Sequence, residues 1–162
     1  MERKDTFVEK LYECNQHKMR LQLATGKVKA NIPLSPTMYA NLSDDMFSYI
    51  DQMFFRFSKL QDTMEDRIFP YLLGLLGEDV KSMSYIDRLN RLEELEIISA
   101  NDWMALRKER NEIAHEYSYN VEELIESINH IYQASFDLLD IYNSLFDYCK
   151  NRFKFIAEST KL

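Results

Sequence analysis

Apolar side chains recur every three to four residues along almost the whole chain, and few residues interrupt that pattern. The sequence contains only three glycines and three prolines in 162 residues. All-β sandwiches and barrels need a turn about every 8–12 residues, so this supply of turn formers excludes them. A spacing of three and four is typical of one face of an α-helix. The pattern therefore predicts an all-α fold, a four- to five-helix bundle in a single domain over residues 1–162.

Capping residues, glycines and prolines predict where these helices begin and end. Gly26 is expected to end the first helix, and residues 27–42 are expected to form the longest loop because they contain two prolines. Ser43 is expected to cap the second helix, which Pro70 should break or kink. The other predicted helical segments are residues 5–25, 85–96, 101–117 and 121–158, whereas the short apolar piece at 71–76 is not assigned to a helix. Ser84 with Asp87, Ser99 or Asn101, and Asn120 with Glu123 are expected to cap the last three helices.

Charge and cysteine usage limit the classes of function. The net charge of −7 argues against indiscriminate binding of nucleic-acid backbones, although it leaves room for a local basic site. The N-terminus is charged from its second residue and lacks the apolar segment of a signal peptide, and no apolar stretch has the length of a membrane span. Cys14 and Cys149 form neither a CxxC pair nor a disulfide framework. We therefore expect a cytoplasmic protein with two free thiols.

The sequence carries no motif for a cofactor or a metal. It has too few glycines for a phosphate-binding loop, it lacks an HExxH motif, and its histidines are scattered at positions 17, 115 and 130. Its many carboxylates are expected to lie mostly on solvated helix faces. We accordingly expect no cofactor and no metal site.

One charged residue interrupts the apolar face of the helix predicted over residues 101–117. With about 100° per residue, Trp103, Leu106, Ile113 and Tyr117 share one arc of the helical wheel, and Arg110 lies inside that arc. A guanidinium on an apolar face is costly unless it is paired or used. Arg110 is therefore expected to pair with a core-facing carboxylate, to extend into solvent, or to serve a function.

His115 lies about 140° from Arg110 around an unbroken helix, whereas Asn111 shares the face of His115. One ideal helix therefore does not direct Arg110 and His115 at the same substrate atom. The two side chains converge only if the helix ends near His115, or if two copies of the chain meet at a two-fold axis. Without such convergence, a histidine near a helix end is ordinarily a capping or an exposed residue.

Residues 110–117 read Arg-Asn-Glu-Ile-Ala-His-Glu-Tyr. Arg110, His115 and Tyr117 thus have the form RX4HXY, and a chain of this composition contains about 0.01 such matches by chance. This pattern resembles the signature of the HEPN superfamily, most closely that of the HepT-like toxins of HEPN–MNT toxin–antitoxin modules. Asn111 matches the polar residue that often follows the arginine in that family. By helix order the resemblance extends over about residues 45–155.

The resemblance implies a small helical bundle that acts as a metal-independent endoribonuclease without a cofactor. Arg110 and His115 would be the catalytic residues, and Asn111 would support them. Tyr117 would carry the hydroxyl that an MNT-type nucleotidyltransferase, the antitoxin, modifies with AMP. Two-fold pairing would place both motifs in one cleft, so the resemblance also implies a homodimer that acts on RNA.

Basic residues near the motif are candidates for contacts with a substrate. Arg107 and Lys108 flank the motif directly, and a second basic cluster follows at Lys150, Arg152 and Lys154. On so acidic a chain, such residues also serve simply to balance surface charge. Two alternatives to a nuclease therefore remain: a non-catalytic HEPN-like helical dimer that binds nucleotide, RNA or a nucleotidyltransferase, and a plain helical scaffold with an accidental motif.

Overall fold

The structure, a computed structural model, describes residues 2–113 and 120–162. These residues form α-helices and no β-strand, which confirms the predicted all-α fold and is compatible with a helical bundle. The helices are α1 (Glu2–Val28), α2 (Pro36–Ala40), α3 (Asp44–Thr63), α4 (Phe69–Leu75), α5 (Tyr85–Glu94), α6 (Ala100–Glu112), α7 (Val121–Arg152) and α8 (Lys154–Ala157).

The core lies between the apolar faces of the long helices α1, α3 and α7. The stripes predicted from the sequence are buried there, with Phe57 and Leu138 fully enclosed. The hydroxyl of Tyr142 crosses this core and donates to Asn15 Oδ1 at 2.6 Å and to the Leu11 carbonyl at 3.2 Å. These bonds connect α7 to α1 and satisfy a polar group that would be costly to bury alone.

Two predictions about the first connection are wrong. Gly26 does not end α1, because the helix continues to Val28, whose side chain is buried with the stripe that precedes it. The segment 27–42 is not simply a loop, since Ser35 caps the short helix α2 and Pro36 occupies its first turn, where its missing N–H costs nothing. The Asn129 side chain of α7 then fixes this connection by exchanging two hydrogen bonds with the Leu34 backbone, at 2.7 and 3.1 Å.

Pro70 does not break the second long helix. Helical structure continues through a π-helical segment, Met64–Ile68, into α4, which contains Pro70 in its first turn. The Phe69 N–H donates to the Met64 carbonyl, five residues earlier. A π-turn is wider than an α-turn, and this widening relieves the clash that a proline ring makes with the carbonyl four residues before it.

The later helices begin at their predicted caps, and within the described residues α5 and the last long helix end earlier than predicted. Ser84 and Asp87 form the predicted capping box of α5, Ser99 caps α6, and Asn120 caps α7. The last helix does not run unbroken to residue 158, because Phe153 adopts an extended conformation that separates α7 from α8. This break places the Phe153 ring against that of Phe7, with the ring centroids 6.5 Å apart.

Both cysteines have free thiols, as the sequence predicted, and both are buried. Burial raises the pKa of Cys149 to about 12 and that of Cys14 further still, so neither thiol is a ready nucleophile at neutral pH. Among residues 2–113 and 120–162, no helix combines the length and the hydropathy that crossing a bilayer requires.

Replacing Tyr142 by Phe tests the polar connection between α7 and α1. We expect Tyr142→Phe to lower the free energy of unfolding by about 1–2 kcal/mol, because it leaves Asn15 Oδ1 without its donor in the core. The control is Tyr12→Phe, the same chemical change on the exposed face of α1, which should change stability by less than about 0.5 kcal/mol. Urea denaturation checks both variants, and equal losses would contradict a specific role for the Tyr142 hydroxyl.

Candidate functional site

The described part of the predicted motif, residues 110–113, lies at the C-terminal end of α6, and its arginine is paired with a carboxylate of α3. Arg110 donates from Nε to Asp62 Oδ1 at 3.2 Å and from Nη2 to Asp62 Oδ2 at 3.1 Å. The expected pairing with a carboxylate is therefore observed, although Asp62 is a partly exposed carboxylate rather than a core-facing one, and the pairing is compatible with a functional role. Both side chains stay accessible, with 32% of Arg110 and 41% of Asp62 exposed. The two-bond arrangement fixes the plane of the guanidinium, and Nη1 has no hydrogen-bond partner among the described residues.

Two turns before Arg110, the same face of α6 contacts a second carboxylate, that of Glu65 in the π-helical segment, which holds the helix against the core. The fully buried Trp103 donates its indole N–H to Glu65 Oε1 at 3.3 Å. Arg107 Nε lies 3.8 Å from the same oxygen, and its guanidinium covers the Tyr85 ring at 4.3 Å from the centroid. Partial burial, together with the neighbouring Glu65 carboxylate, raises the pKa of Tyr85 to about 12, although Arg107 opposes that shift. Arg107 is thus committed to contacts within the fold.

The π-helical segment brings these two carboxylates to α6. Asp62 lies in the last turn of α3 and Glu65 lies within the π-turn, three residues later. Trp103, Arg107 and Arg110 follow the same spacing of three and four along α6, so the two helices meet as complementary rows. π-turns are rare and frequently occur at functional sites. A proline within a continuous apolar stripe was the sequence signal for this irregularity, and it predicted a break or a kink rather than a π-turn.

The opposite side of α6 presents a second cluster, which the sequence analysis missed. Glu109 and Glu112 of α6 lie near His130 of α7, and one ligand atom from each of the three lies within 4.8 Å of the others. A cavity of about 510 Å³ adjoins this cluster. Its described lining includes Glu109 and His130 together with three further carboxylates, those of Asp102, Asp137 and Asp140, and no lysine or arginine. No linear sequence motif predicts this cluster, because it depends on how α6 packs against α7.

Of the remaining predicted site residues, two are described by the structure and two are not. Asn111 and Lys108 are exposed on α6. His115 and Tyr117 lie outside the described residues. Regular α-helix in the described part of the motif extends to Glu112.

The C-terminal basic cluster lies far from the described part of the motif. His130 lies at the level of Glu112, and Lys150 is twenty residues further along the continuous helix α7. At about 1.5 Å per residue, that separation is about 30 Å. Its members also have local partners, since Lys150 lies over Phe146, Arg152 over Phe153, and Lys154 near Glu158.

Comparisons with known proteins identify no relative. No family model, no curated protein and no solved structure matches this chain. The likeness to HEPN proteins therefore rests on the residues of the motif and on the helical fold around them.

Removing each of the two carboxylates that face α6 separates structural from functional roles. We expect Glu65→Ala to lower the free energy of unfolding by about 1–3 kcal/mol, because the buried Trp103 N–H loses its acceptor. Asp62→Ala should cost less than about 1 kcal/mol, because its ion pair with Arg110 is exposed to solvent. Urea denaturation of both variants provides the measurement. A larger loss for Asp62→Ala would show that the Arg110 pair mainly stabilises the fold.

Proposed function

We propose that this protein is a HepT-like, metal-independent endoribonuclease that an MNT-type nucleotidyltransferase antitoxin neutralises. One observation carries the proposal beyond the motif itself: Arg110 is half-exposed, and Asp62 holds its guanidinium in a fixed plane by two hydrogen bonds. Arginine binds phosphate through parallel N–H donors, so an oriented guanidinium with Nη1 available suits a phosphodiester.

The proposed reaction uses the nucleophile that RNA itself carries. The 2′-hydroxyl oxygen attacks the adjacent phosphorus while a base removes its proton, and the bond from phosphorus to the 5′-oxygen breaks as that oxygen gains a proton. The products are a 2′,3′-cyclic phosphate and a 5′-hydroxyl. An imidazole with a pKa near 6.5 suits both proton transfers, which we assign to His115. Arg110 stabilises the charge that develops on the phosphoryl oxygens, and Asn111 supports His115 or the phosphate.

Asp62 has a positioning role in this proposal. It holds the guanidinium plane before substrate arrives, so that less rotational freedom is lost on binding. Its negative charge also weakens the attraction between Arg110 and an anion. An RNA chain must therefore gain affinity from other contacts, for which the exposed Lys108 is the remaining predicted candidate on α6 and a second copy of the chain another. We include the homodimer in the proposal for this reason.

A second candidate function is a non-catalytic HEPN-like module that binds nucleotide, RNA or a nucleotidyltransferase without cleaving. The electrostatics of α6 favour it. Asp62 and Glu65 occupy one side of the helix and the acidic cavity adjoins the other, whereas Arg107 is engaged by Glu65 and Tyr85. Such surroundings lower the affinity for a long polyanion more than for a single phosphate group.

Cleavage of RNA by purified variants tests the nuclease. We expect wild-type protein to cut single-stranded RNA in the presence of EDTA and to leave 2′,3′-cyclic phosphate ends. Arg110→Ala and His115→Ala should each slow cleavage by about 100-fold or more, as expected for loss of a group that stabilises the transition state. Arg20→Ala, which removes an exposed arginine of α1, is the matched control and should remain within about twofold of wild type.

The same assay separates the two candidates. Equal cleavage by wild type and Arg110→Ala would refute the proposed site. Intact RNA together with Arg110-dependent binding of a mononucleotide would establish the non-catalytic module instead.

Co-expression tests the proposed regulation at Tyr117. A minimal nucleotidyltransferase encoded beside this gene is expected to transfer AMP from ATP to the Tyr117 hydroxyl with release of pyrophosphate, which adds a phosphate charge to the motif and blocks RNA. Mass spectrometry of the intact protein and its peptides should find the adduct on wild type and not on Tyr117→Phe. Neutralised toxin with an unmodified Tyr117 would contradict this mechanism.

A further inference from the structure

Glu109, Glu112 and His130 form a donor set of the kind that binds transition metals. The two carboxylates lie three residues apart on α6, and the imidazole reaches them from α7. Paired carboxylate and imidazole ligands on facing helices are a common way to build a metal site in a helical bundle. Imidazole favours zinc and its first-row neighbours over magnesium or calcium, which prefer oxygen ligands alone.

No cationic side chain among the described residues pairs with the two carboxylates of this cluster. Neither Glu109 nor Glu112 has an ion pair or a side-chain hydrogen bond within residues 2–113 and 120–162. Both side chains are half-buried, and the two carboxylates lie close together. Like charges at such separations repel, and partial burial strengthens the repulsion. Asp62 and Glu65, on the other side of α6, each have a cationic partner.

The adjoining cavity adds negative charge in the same place. Among the residues that the structure describes, four carboxylates line it, those of Asp102, Glu109, Asp137 and Asp140, and no lysine or arginine does. A concave surface of one sign concentrates counter-ions at its walls. The cavity therefore favours the approach of a cation to the cluster rather than that of an anionic substrate.

We propose that Glu109, Glu112 and His130 bind a divalent first-row transition-metal ion, with Zn²⁺ as the probe. Ligand bonds of about 2.0–2.1 Å in tetrahedral geometry place ligand atoms about 3.4 Å apart. The three ligand atoms now lie within 4.8 Å of one another, and small side-chain rotations would bring them to that spacing. Three protein ligands leave a position for water, and the bound ion links the C-terminal end of α6 to α7. This proposal differs from the sequence-based expectation of no metal, and it does not depend on the proposed ribonuclease.

Isothermal titration of the full chain with Zn²⁺ tests the site directly. We expect one ion per chain, bound with micromolar or tighter affinity, and an unfolding midpoint that rises with Zn²⁺ concentration because the ion binds the folded state. Glu112→Gln and His130→Asn should each weaken binding by about tenfold or more and abolish that rise. Circular dichroism of the metal-free variants checks that they fold, which removal of a half-buried or exposed donor should permit.

Asp140→Asn is the matched control, because it removes one charge from the cavity lining and leaves the three donors intact. It should weaken Zn²⁺ binding by less than about threefold. In wild-type protein, bound Co²⁺ should give visible absorption without a thiolate charge-transfer band, because both thiols are buried. Absence of one-to-one binding would overturn the proposal. Equal binding by wild type and His130→Asn, or equal weakening by Asp140→Asn and Glu112→Gln, would overturn it as well. The RNA cleavage assay in EDTA tests the proposed nuclease separately, and its result does not change how the Zn²⁺ binding results are interpreted.

Discussion

The contact between α6 and the helix that carries the π-turn determines how the candidate site is presented. Glu65 accepts from the buried Trp103 indole and attracts Arg107, whereas Asp62 holds Arg110 by two bonds. The first carboxylate anchors α6 to the core, and the second acts on a side chain that remains accessible. Without the anchor, Arg110 would have no fixed position from which to meet a ligand.

The carboxylates on the two sides of α6 have different neighbours. On the side facing α3, each carboxylate has a basic partner from α6. On the side facing α7, Glu109 and Glu112 meet an imidazole and an acidic cavity. The first arrangement leaves a guanidinium edge for an anion, and the second offers oxygen and nitrogen donors to a cation. One short helix thus supports two separate binding proposals of opposite charge.

Periodicity predicted the fold well because burial of an apolar stripe determines both the spacing and the helix. The caps Ser84, Ser99 and Asn120 were also predicted, since capping depends on residues adjacent in sequence. The passage through Pro70 was not predicted, because a π-turn depends on tertiary packing rather than on local preference. The helical wheel located Arg110 on the apolar face, but it did not identify Asp62 as its partner. The cluster at His130 was missed for the same reason, since its members lie on different helices.

The central claim is that Asp62 fixes Arg110 with one guanidinium edge left for a phosphodiester. Proton–nitrogen NMR of arginine-labelled protein, titrated with a non-cleavable 2′-deoxy dinucleotide, tests it most directly. The account predicts that the Nε–H resonance of Arg110 shifts and saturates, while that of the exposed Arg20 stays unchanged. An Arg110 resonance that does not respond, or responds no more than that of Arg20, would contradict it.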